Sequence, residues 1–194
     1  MAALHQQDQI QIEARADDLA GPAGGAGGLR AVPQAVDPGH ERAASRAGEV
    51  VRASLDLDLV LLMERCHIAL RGTRGAAVSL AFISTSEGGM TWLGVGNVEG
   101  RVVSGDPSAT RPKGSLALGT GVAGYELPVV RTAALEVRPG DVLIFATDGV
   151  DPSFADSLDL SGSTQAITER IMARHRRPTD DALVVAVRYL GAQR

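Results

Sequence analysis

The sequence predicts an α+β domain in which helices cover antiparallel sheets. Helical segments come first along the chain, strand-like segments separated by turns fill the middle, and a helix and a closing strand follow. At 194 residues, with 44% hydrophobic and 22% charged residues, the chain has the length and composition of one globular domain. The aromatic share of 3% indicates a core built mainly from Val, Leu, Ala and Ile.

The N-terminal part has little regular pattern. Residues 9–14 (QIQIEA) alternate polar with apolar residues, which predicts a short half-buried strand. Residues 21–28 (GPAGGAGG) interrupt all periodicity and predict a loop or a weakly ordered segment. We therefore expect an irregular N-terminal segment over 1–36 and the folded domain over 37–194.

Two helices are predicted next. Asp37 followed by Pro38 is typical of a helix start, with an acidic N-cap and proline at the first helical position. This helix should reach about Ala53. Residues 57–70 predict a second helix, which ends at Gly72, as a C-terminal glycine indicates.

Strands and turns dominate the middle of the chain. Residues 76–83, 90–95 and 101–104 predict three strands. Because they are neighbours in sequence, an antiparallel meander is the simplest pairing. Residues 106–125 are rich in Gly, Pro, Ser and Thr and predict a long loop.

The remaining elements complete the pattern. Residues 129–137 and 142–146 predict a hairpin around the Pro-Gly turn between them. Residues 163–175 are amphipathic and predict a helix capped by Ser163, and residues 183–190 predict the last strand.

Composition excludes several classes of function. The formal net charge is -4 and no basic block occurs, so we expect no nucleic-acid partner. No apolar run approaches the ~20 residues of a membrane helix, and no signal segment is visible, so we expect a cytoplasmic protein with no membrane partner. The single cysteine, Cys66, fits a reducing compartment and a buried helix position.

Acidic residues flank two predicted buried strands. Asp148 follows the strand 142–146, and Asp180 and Asp181 precede the strand that begins at 183. Carboxylates at strand ends are held rigidly and can bind a hard cation such as magnesium or manganese. The alternative is that these aspartates only form turns, because acidic turns at strand ends are common.

Four motifs together resemble the RsbX and SpoIIE branch of the PPM (protein phosphatase 2C-like) serine/threonine phosphatases. They occur in the family's order, and the resemblance runs from about Arg42 to Leu190. The motifs are RGTRGAA (71–77), GVGNVEG (94–100), DVLIFATDG (141–149) and TDDALVV (179–185).

The resemblance implies a four-layer αββα sandwich with a site for two manganese or magnesium ions at one end of the sheets. In this family a water molecule that bridges the metals attacks the phosphorus of phosphoserine or phosphothreonine. No covalent enzyme intermediate forms in this family. The resemblance therefore implies no catalytic group beyond the metal-bound water. Cys66 is accordingly interpreted as a core residue.

Site residues carry over by position in the motifs. Asp148 matches a metal-ligating aspartate, and Asp180 matches the second, with Asp181 as its supporting neighbour. Gly149 lets the chain turn tightly beside the metal. The resemblance gives the segments 73–77 and 94–97 a scaffold role without chemistry.

The first metal motif of the family departs from its pattern here. Val36-Asp37-Pro38-Gly39-His40-Glu41 stands where the family has Asp-Gly-Leu-Gly-His-Gly after a strand, and no strand is predicted directly upstream. In one interpretation Asp37 and the Pro38 carbonyl still bind metal. In the other, Asp37 is only the N-cap of the first helix.

Three hypotheses remain open. The first is an active phosphatase for a phosphoprotein of a bacterial stress-response pathway, by resemblance a STAS-domain stressosome protein or an anti-sigma pathway protein. The second is a pseudophosphatase that binds a partner without turnover. The third is that the unusual N-terminal region reflects an altered start or reading frame.

Overall fold

A computed structural model describes residues 9–13, 38–54, 57–84, 89–106, 108, 114–116 and 120–191. These residues form strands and helices in the order β1 (Gln9–Glu13), α1 (Pro38–Arg52), α2 (Leu59–Leu70), β2 (Val78–Ser84), β3 (Gly89–Val95), β4 (Glu99–Val103), β5 (Gly114–Leu116), β6 (Ala133–Glu136), β7 (Val142–Ala146), a 3-10 helix (Pro152–Ser157), α3 (Thr164–His175) and β8 (Val184–Arg188).

The helices begin and end close to the predicted positions. Pro38 is the first residue of α1, as its fixed φ angle favours. The Asp58 carboxylate caps α2 by accepting the backbone N–H groups of Val60 at 2.9 Å and Leu61 at 3.0 Å. The Ser163 hydroxyl caps α3 through the backbone N–H of Ala166, at 3.2 Å.

The strands form two four-stranded antiparallel sheets, ordered β1-β2-β3-β6 and β5-β4-β7-β8. The predicted meander is therefore wrong at its third strand, because β4 leaves β3 and pairs with β5 and β7. Its buried residue Val102, and Val98 just before the strand, lie in the space between the sheets. Part of the predicted loop 106–125 is also strand β5.

The predicted hairpin of β6 and β7 is also wrong. The connection between these strands crosses from the first sheet to the second, and β6 spans fewer residues than expected. The buried Asp141 carboxylate fixes this crossing, since it accepts the N–H groups of Arg138 at 2.7 Å and Gly105 at 3.0 Å. A buried carboxylate needs such donors, and here one comes from the crossing itself and the other from the segment that follows β4.

Three hydrophobic clusters separate four layers. One joins α1 and α2 to the outer face of the first sheet, the second lies between the sheets, and the third joins α3 and the 3-10 helix to the second sheet. Residues of β7 alternate between two clusters, since Val142 and Ile144 face α3 while Leu143 and Phe145 face the other sheet. This is the αββα sandwich that the motifs predict.

A tilted ring pair lies in the middle of the fold. Trp92 on β3 and Phe145 on β7 pack across the two sheets with their ring centroids 6.4 Å apart.

Within the described ranges, no helix is long and apolar enough to cross a membrane.

Candidate functional site

The turn after β7 carries the first candidate ligand. Residues Thr147, Asp148, Gly149 and Val150 form a tight turn that is closed by a hydrogen bond from the Val150 N–H to the Thr147 carbonyl, at 2.9 Å. The Asp148 side chain is exposed at the apex, whereas Ala146 and Val150 on either side are buried. The buried neighbours hold the exposed carboxylate at a fixed place at the sheet edge.

Thr147 joins this turn to the start of β8. Its N–H donates to the Leu183 carbonyl at 3.0 Å, and its hydroxyl accepts the Leu183 N–H at 2.9 Å. Ala146 pairs with Val184 in the same ladder. The end of β7 and the beginning of β8 therefore lie side by side, which brings the turn at Asp148 next to the segment with Asp180 and Asp181.

Gly149 makes the closest contact between the two segments. A Cβ added at residue 149 would lie 2.0 Å from the Asp181 carbonyl oxygen. Only glycine fits this approach without a shift of the backbone. Gly149 therefore allows the two acidic turns to pack in close contact.

Arg177 ties the two turns together. Its backbone N–H donates to the Gly149 carbonyl at 2.8 Å, and its carbonyl accepts the Asp180 N–H at 3.4 Å. Its guanidinium donates to the Asp148 carbonyl at 3.1 Å and pairs with the Asp151 carboxylate at 3.6 Å. One residue therefore contacts both acidic turns, and the sequence analysis did not identify it.

The second acidic pair is exposed. Asp180 Oδ1 accepts the backbone N–H of Asp181 at 2.9 Å, which orients the Asp180 carboxylate relative to its own backbone. Both side chains face solvent. Asp180 thus presents a carboxylate at the sheet end that also carries Asp148.

Asn97 contacts Asp148 directly. Its side-chain amide Nδ2 donates a hydrogen bond to Asp148 Oδ2 from the turn between β3 and β4. The sequence analysis gave residues 94–97 no chemistry. A signal was present in the sequence, since Asn97 is the only asparagine of the chain and directly follows a glycine at a predicted strand end.

Local hydrogen bonds stabilise the negative charge of Asp151 next to the site. The pKa of the Asp151 carboxyl lies below its usual value, because the Ser153 side chain and then its backbone stabilise the charged form, and Arg177 adds a positive charge nearby. Asp151 therefore stays anionic and holds Arg177 beside the Asp148 turn.

The chemistry of these donors fits a hard divalent cation, because carboxylate oxygens from two neighbouring turns lie at one end of a sheet. In the part of the chain that the structure describes, however, no group of three or more His, Cys, Asp or Glu side chains is close enough to hold a metal ion. Asp37 lies outside that part. Pro38 begins α1, where a first-turn carbonyl ordinarily accepts an N–H four residues later.

Two further side chains are part of the packing. Cys66 is buried in the cluster beneath α1 and α2. His67 is buried, and its Nδ1 accepts the N–H of Gly124 at 3.0 Å. Cys66 therefore has the core position expected for it, and His67 has a structural role as a hydrogen-bond acceptor.

The four layers, with two acidic turns meeting at one end of the second sheet, place the chain in the PPM (protein phosphatase 2C-like) class of protein phosphatases. A family model described as stage II sporulation protein E (SpoIIE) matches residues 42–190. The chain belongs to this family, and it is a phosphoprotein phosphatase by class. No curated protein matches the chain.

Solved structures share the fold. A protein from work on the bacterial stressosome, a modular system adapted to control secondary messenger signaling, is 25% identical, with a TM-score of 0.66 over 77% of each chain. RsbX in complex with magnesium is 20% identical, with a TM-score of 0.64 over 78% of this chain and 74% of RsbX. The Mycobacterium tuberculosis serine/threonine phosphatase PstP/Ppp is 16% identical, with a TM-score of 0.57 over 79% of this chain and 83% of PstP/Ppp.

Proposed function

We propose that this protein is a metal-dependent serine/threonine phosphatase that acts on a phosphorylated partner in a bacterial partner-switching pathway. One observation carries the proposal: Asp148 and Asp180 lie in turns that are hydrogen-bonded to each other through Arg177 at the same end of β7 and β8. Two carboxylates far apart in sequence are thereby presented at one edge.

In this proposal Asp148 and Asp180 hold the cations and Asp181 supports Asp180. Two manganese or magnesium ions would polarise the phosphoryl group and lower the pKa of a bound water. Asp37 and the Pro38 carbonyl are proposed as further ligands from the start of α1. Gly149 keeps the Asp148 turn against the Asp181 backbone.

The proposed reaction has no covalent enzyme intermediate. Cys66 is buried away from solvent and is not a nucleophile in this proposal. The anionic turns would repel a phosphate unless cations neutralise them. Substrate binding therefore depends on the cations, which makes metal removal a direct test of the proposed reaction.

The partner is proposed from the relatives. One similar structure comes from the bacterial stressosome and another is RsbX, which supports a phosphorylated STAS-domain stressosome protein or an anti-sigma pathway protein as substrate. The cytoplasm is the compartment proposed for this reaction.

The test is hydrolysis by the purified full chain. With manganese, it should release phosphate from a phosphoserine STAS-domain protein and from an aryl phosphate, and EDTA should abolish both reactions. Asp148→Asn should abolish metal binding measured by calorimetry. Asp156→Asn, the same change at an exposed carboxylate on the 3-10 helix, should leave binding and hydrolysis unchanged.

A pseudophosphatase that binds its partner without turnover is the second candidate. The altered first metal motif favours it, together with the absence of a three-carboxylate cluster among the described residues. No manganese binding and no hydrolysis, with an intact complex with the phosphorylated STAS-domain protein, would establish this candidate in place of the first.

A further inference from the structure

The contact between Asn97 and Asp148 has a backbone basis. In the antiparallel ladder of β4 and β7, Glu99 faces Ala146. Asn97 precedes Glu99 by two residues and Asp148 follows Ala146 by two, so both lie just beyond the same end of this ladder. Strand pairing therefore brings the two turns together, and the side-chain hydrogen bond joins them.

The turn that carries Asn97 is fixed from both sides. Gly96 has φ +103°, and a Cβ added there would lie 2.5 Å from the Ala77 Cβ. On the other side, Val98 is buried between the sheets. A glycine that needs a left-handed backbone and a buried valine together leave residue 97 little freedom to move.

The hydrogen bond from Asn97 engages one of the two oxygens of the Asp148 carboxylate. Asn97 Nδ2 donates to Oδ2, and the Arg177 guanidinium contacts the backbone carbonyl of Asp148 and not its side chain. Among the residues that the structure describes, the donor therefore lies on Oδ2, while Oδ1 has the lone pairs to bind a cation. A carboxylate held through one oxygen presents the other in a single orientation.

We propose that Asn97 is a positioning residue, which orients the Asp148 carboxylate for cation binding through its amide donor. This inference rests on the proposed function. A neutral amide suits the task, because it donates a hydrogen bond and does not compete for the cation as another carboxylate would. Partners of this kind typically change metal affinity ~10–100-fold when they are removed.

The unique asparagine allows a direct spectroscopic test. Selective labelling with side-chain 15N-asparagine gives one pair of amide signals, since the chain has no other asparagine. Asp148→Ala should shift this pair in metal-free protein, because the acceptor is lost. Magnesium, which is diamagnetic, should shift the pair of the wild type and leave that of Asp148→Ala in place.

Metal affinity and activity provide the second arm. Asn97→Leu has nearly the shape of asparagine but no donor, and it should raise the apparent dissociation constant for manganese ~10–100-fold. Saturating manganese should restore hydrolysis toward the wild-type rate, because the proposed effect of the substitution is on cation affinity. Asn97→Gln, which keeps the amide, should recover part of the affinity.

The matched control is Gln165→Leu. It removes another amide-to-carboxylate hydrogen bond, from Gln165 to Glu169 at 2.8 Å on α3, and should leave the manganese constant unchanged. The single tryptophan, Trp92, is buried between the sheets, so its fluorescence reports whether each variant keeps the core.

The outcomes separate this inference from the proposed function. A folded Asn97→Leu variant with the manganese constant of the wild type, or an amide pair that ignores Asp148→Ala, overturns the inference and leaves the phosphatase proposal standing. A wild type that neither binds manganese nor hydrolyses phosphoserine overturns the proposed function, and with it any role of Asn97 in cation binding.

Discussion

The backbone of Asp181 packs against Gly149 so closely that a Cβ at residue 149 would lie 2.0 Å from the Asp181 carbonyl oxygen. Both residues belong to the acidic turns that flank β7 and β8. Because both partners in this contact are main chain, rotation of a side chain cannot relieve an overlap. The spacing of the two turns is therefore set by the absence of a side chain at position 149.

Gly149→Ala should lower the free energy of unfolding by about 2 kcal/mol, since the backbone must move to accept the methyl group. Gly89→Ala is the control, because a Cβ there meets nothing within 4 Å. It should change stability by less than about 0.5 kcal/mol. Urea unfolding followed by Trp92 fluorescence measures both, and equal stability of the two variants would contradict the contact.

Asp180→Asn and Asp181→Asn should differ in their effect on metal binding. The proposal makes Asp180 a ligand and Asp181 its support, so the first change should weaken manganese binding by a factor of ~100 or more. The second should weaken it by a factor of ~10, the low end for a supporting group. Calorimetry measures both constants, and a larger loss for Asp181→Asn would reverse the two roles.

Arg177→Ala should destabilise the protein by about 1 kcal/mol, because the Asp148 carbonyl loses a charged donor. The ion pair with Asp151 adds little, since both side chains are about half exposed. Arg177→Lys should not restore the loss, because one ammonium cannot reproduce the two-pronged guanidinium contact. Urea unfolding of the three proteins checks this, and full stability of the lysine variant would show that charge alone suffices.

His67→Leu should cost about 1–3 kcal/mol, because the Gly124 N–H that donates to His67 Nδ1 would lose its acceptor. His67→Asn should cost less, since the asparagine carbonyl oxygen can accept the same N–H. Thermal and urea unfolding measure both variants. Equal losses would mean that ring packing, and not the hydrogen bond, holds α2 to this loop.

Asp159 should contribute to stability only above acidic pH. Hydrogen bonds from Ser161, first through its side chain and then its backbone, lower the pKa of this carboxyl, and Arg170 and Arg174 add to the effect. A lowered pKa in the folded state means that the contribution is complete above the usual value of about 3.9 and is lost as pH falls through the folded value.

The wild type should therefore exceed Asp159→Asn in stability at pH 7, and the difference should shrink below about pH 4. Urea unfolding between pH 7 and pH 2.5 measures it. A difference that is constant with pH would show that the substitution acts through something other than the charge of Asp159.

Much of the local structure could be predicted from sequence. Proline at the first position of α1, Ser163 at the cap of α3 and the apolar run of β7 each act within a few neighbouring residues, and each element appears where expected. The motifs also predicted the four layers and the two antiparallel sheets. The acidic residues at the ends of β7 and β8 were identified because they adjoin strands with a clear apolar pattern.

Strand pairing could not be predicted from the sequence in the same way. Neighbouring segments suggested that β3 pairs with β4 and β6 with β7, but burial between two sheets separates both pairs. Asp141, which holds the second crossing, looks like an ordinary turn residue in sequence, and only its burial and its donors show what it does.

By itself, the sequence determined the three α-helices and their caps, most of the strands, and which aspartates stand at strand ends, because these depend on interactions between near neighbours. The tertiary structure alone decided that Asn97 faces Asp148 and that Arg177 joins the two acidic turns. The physical reason is that these contacts span 51 and 29 residues of chain and follow from how two sheets bury their inner faces together.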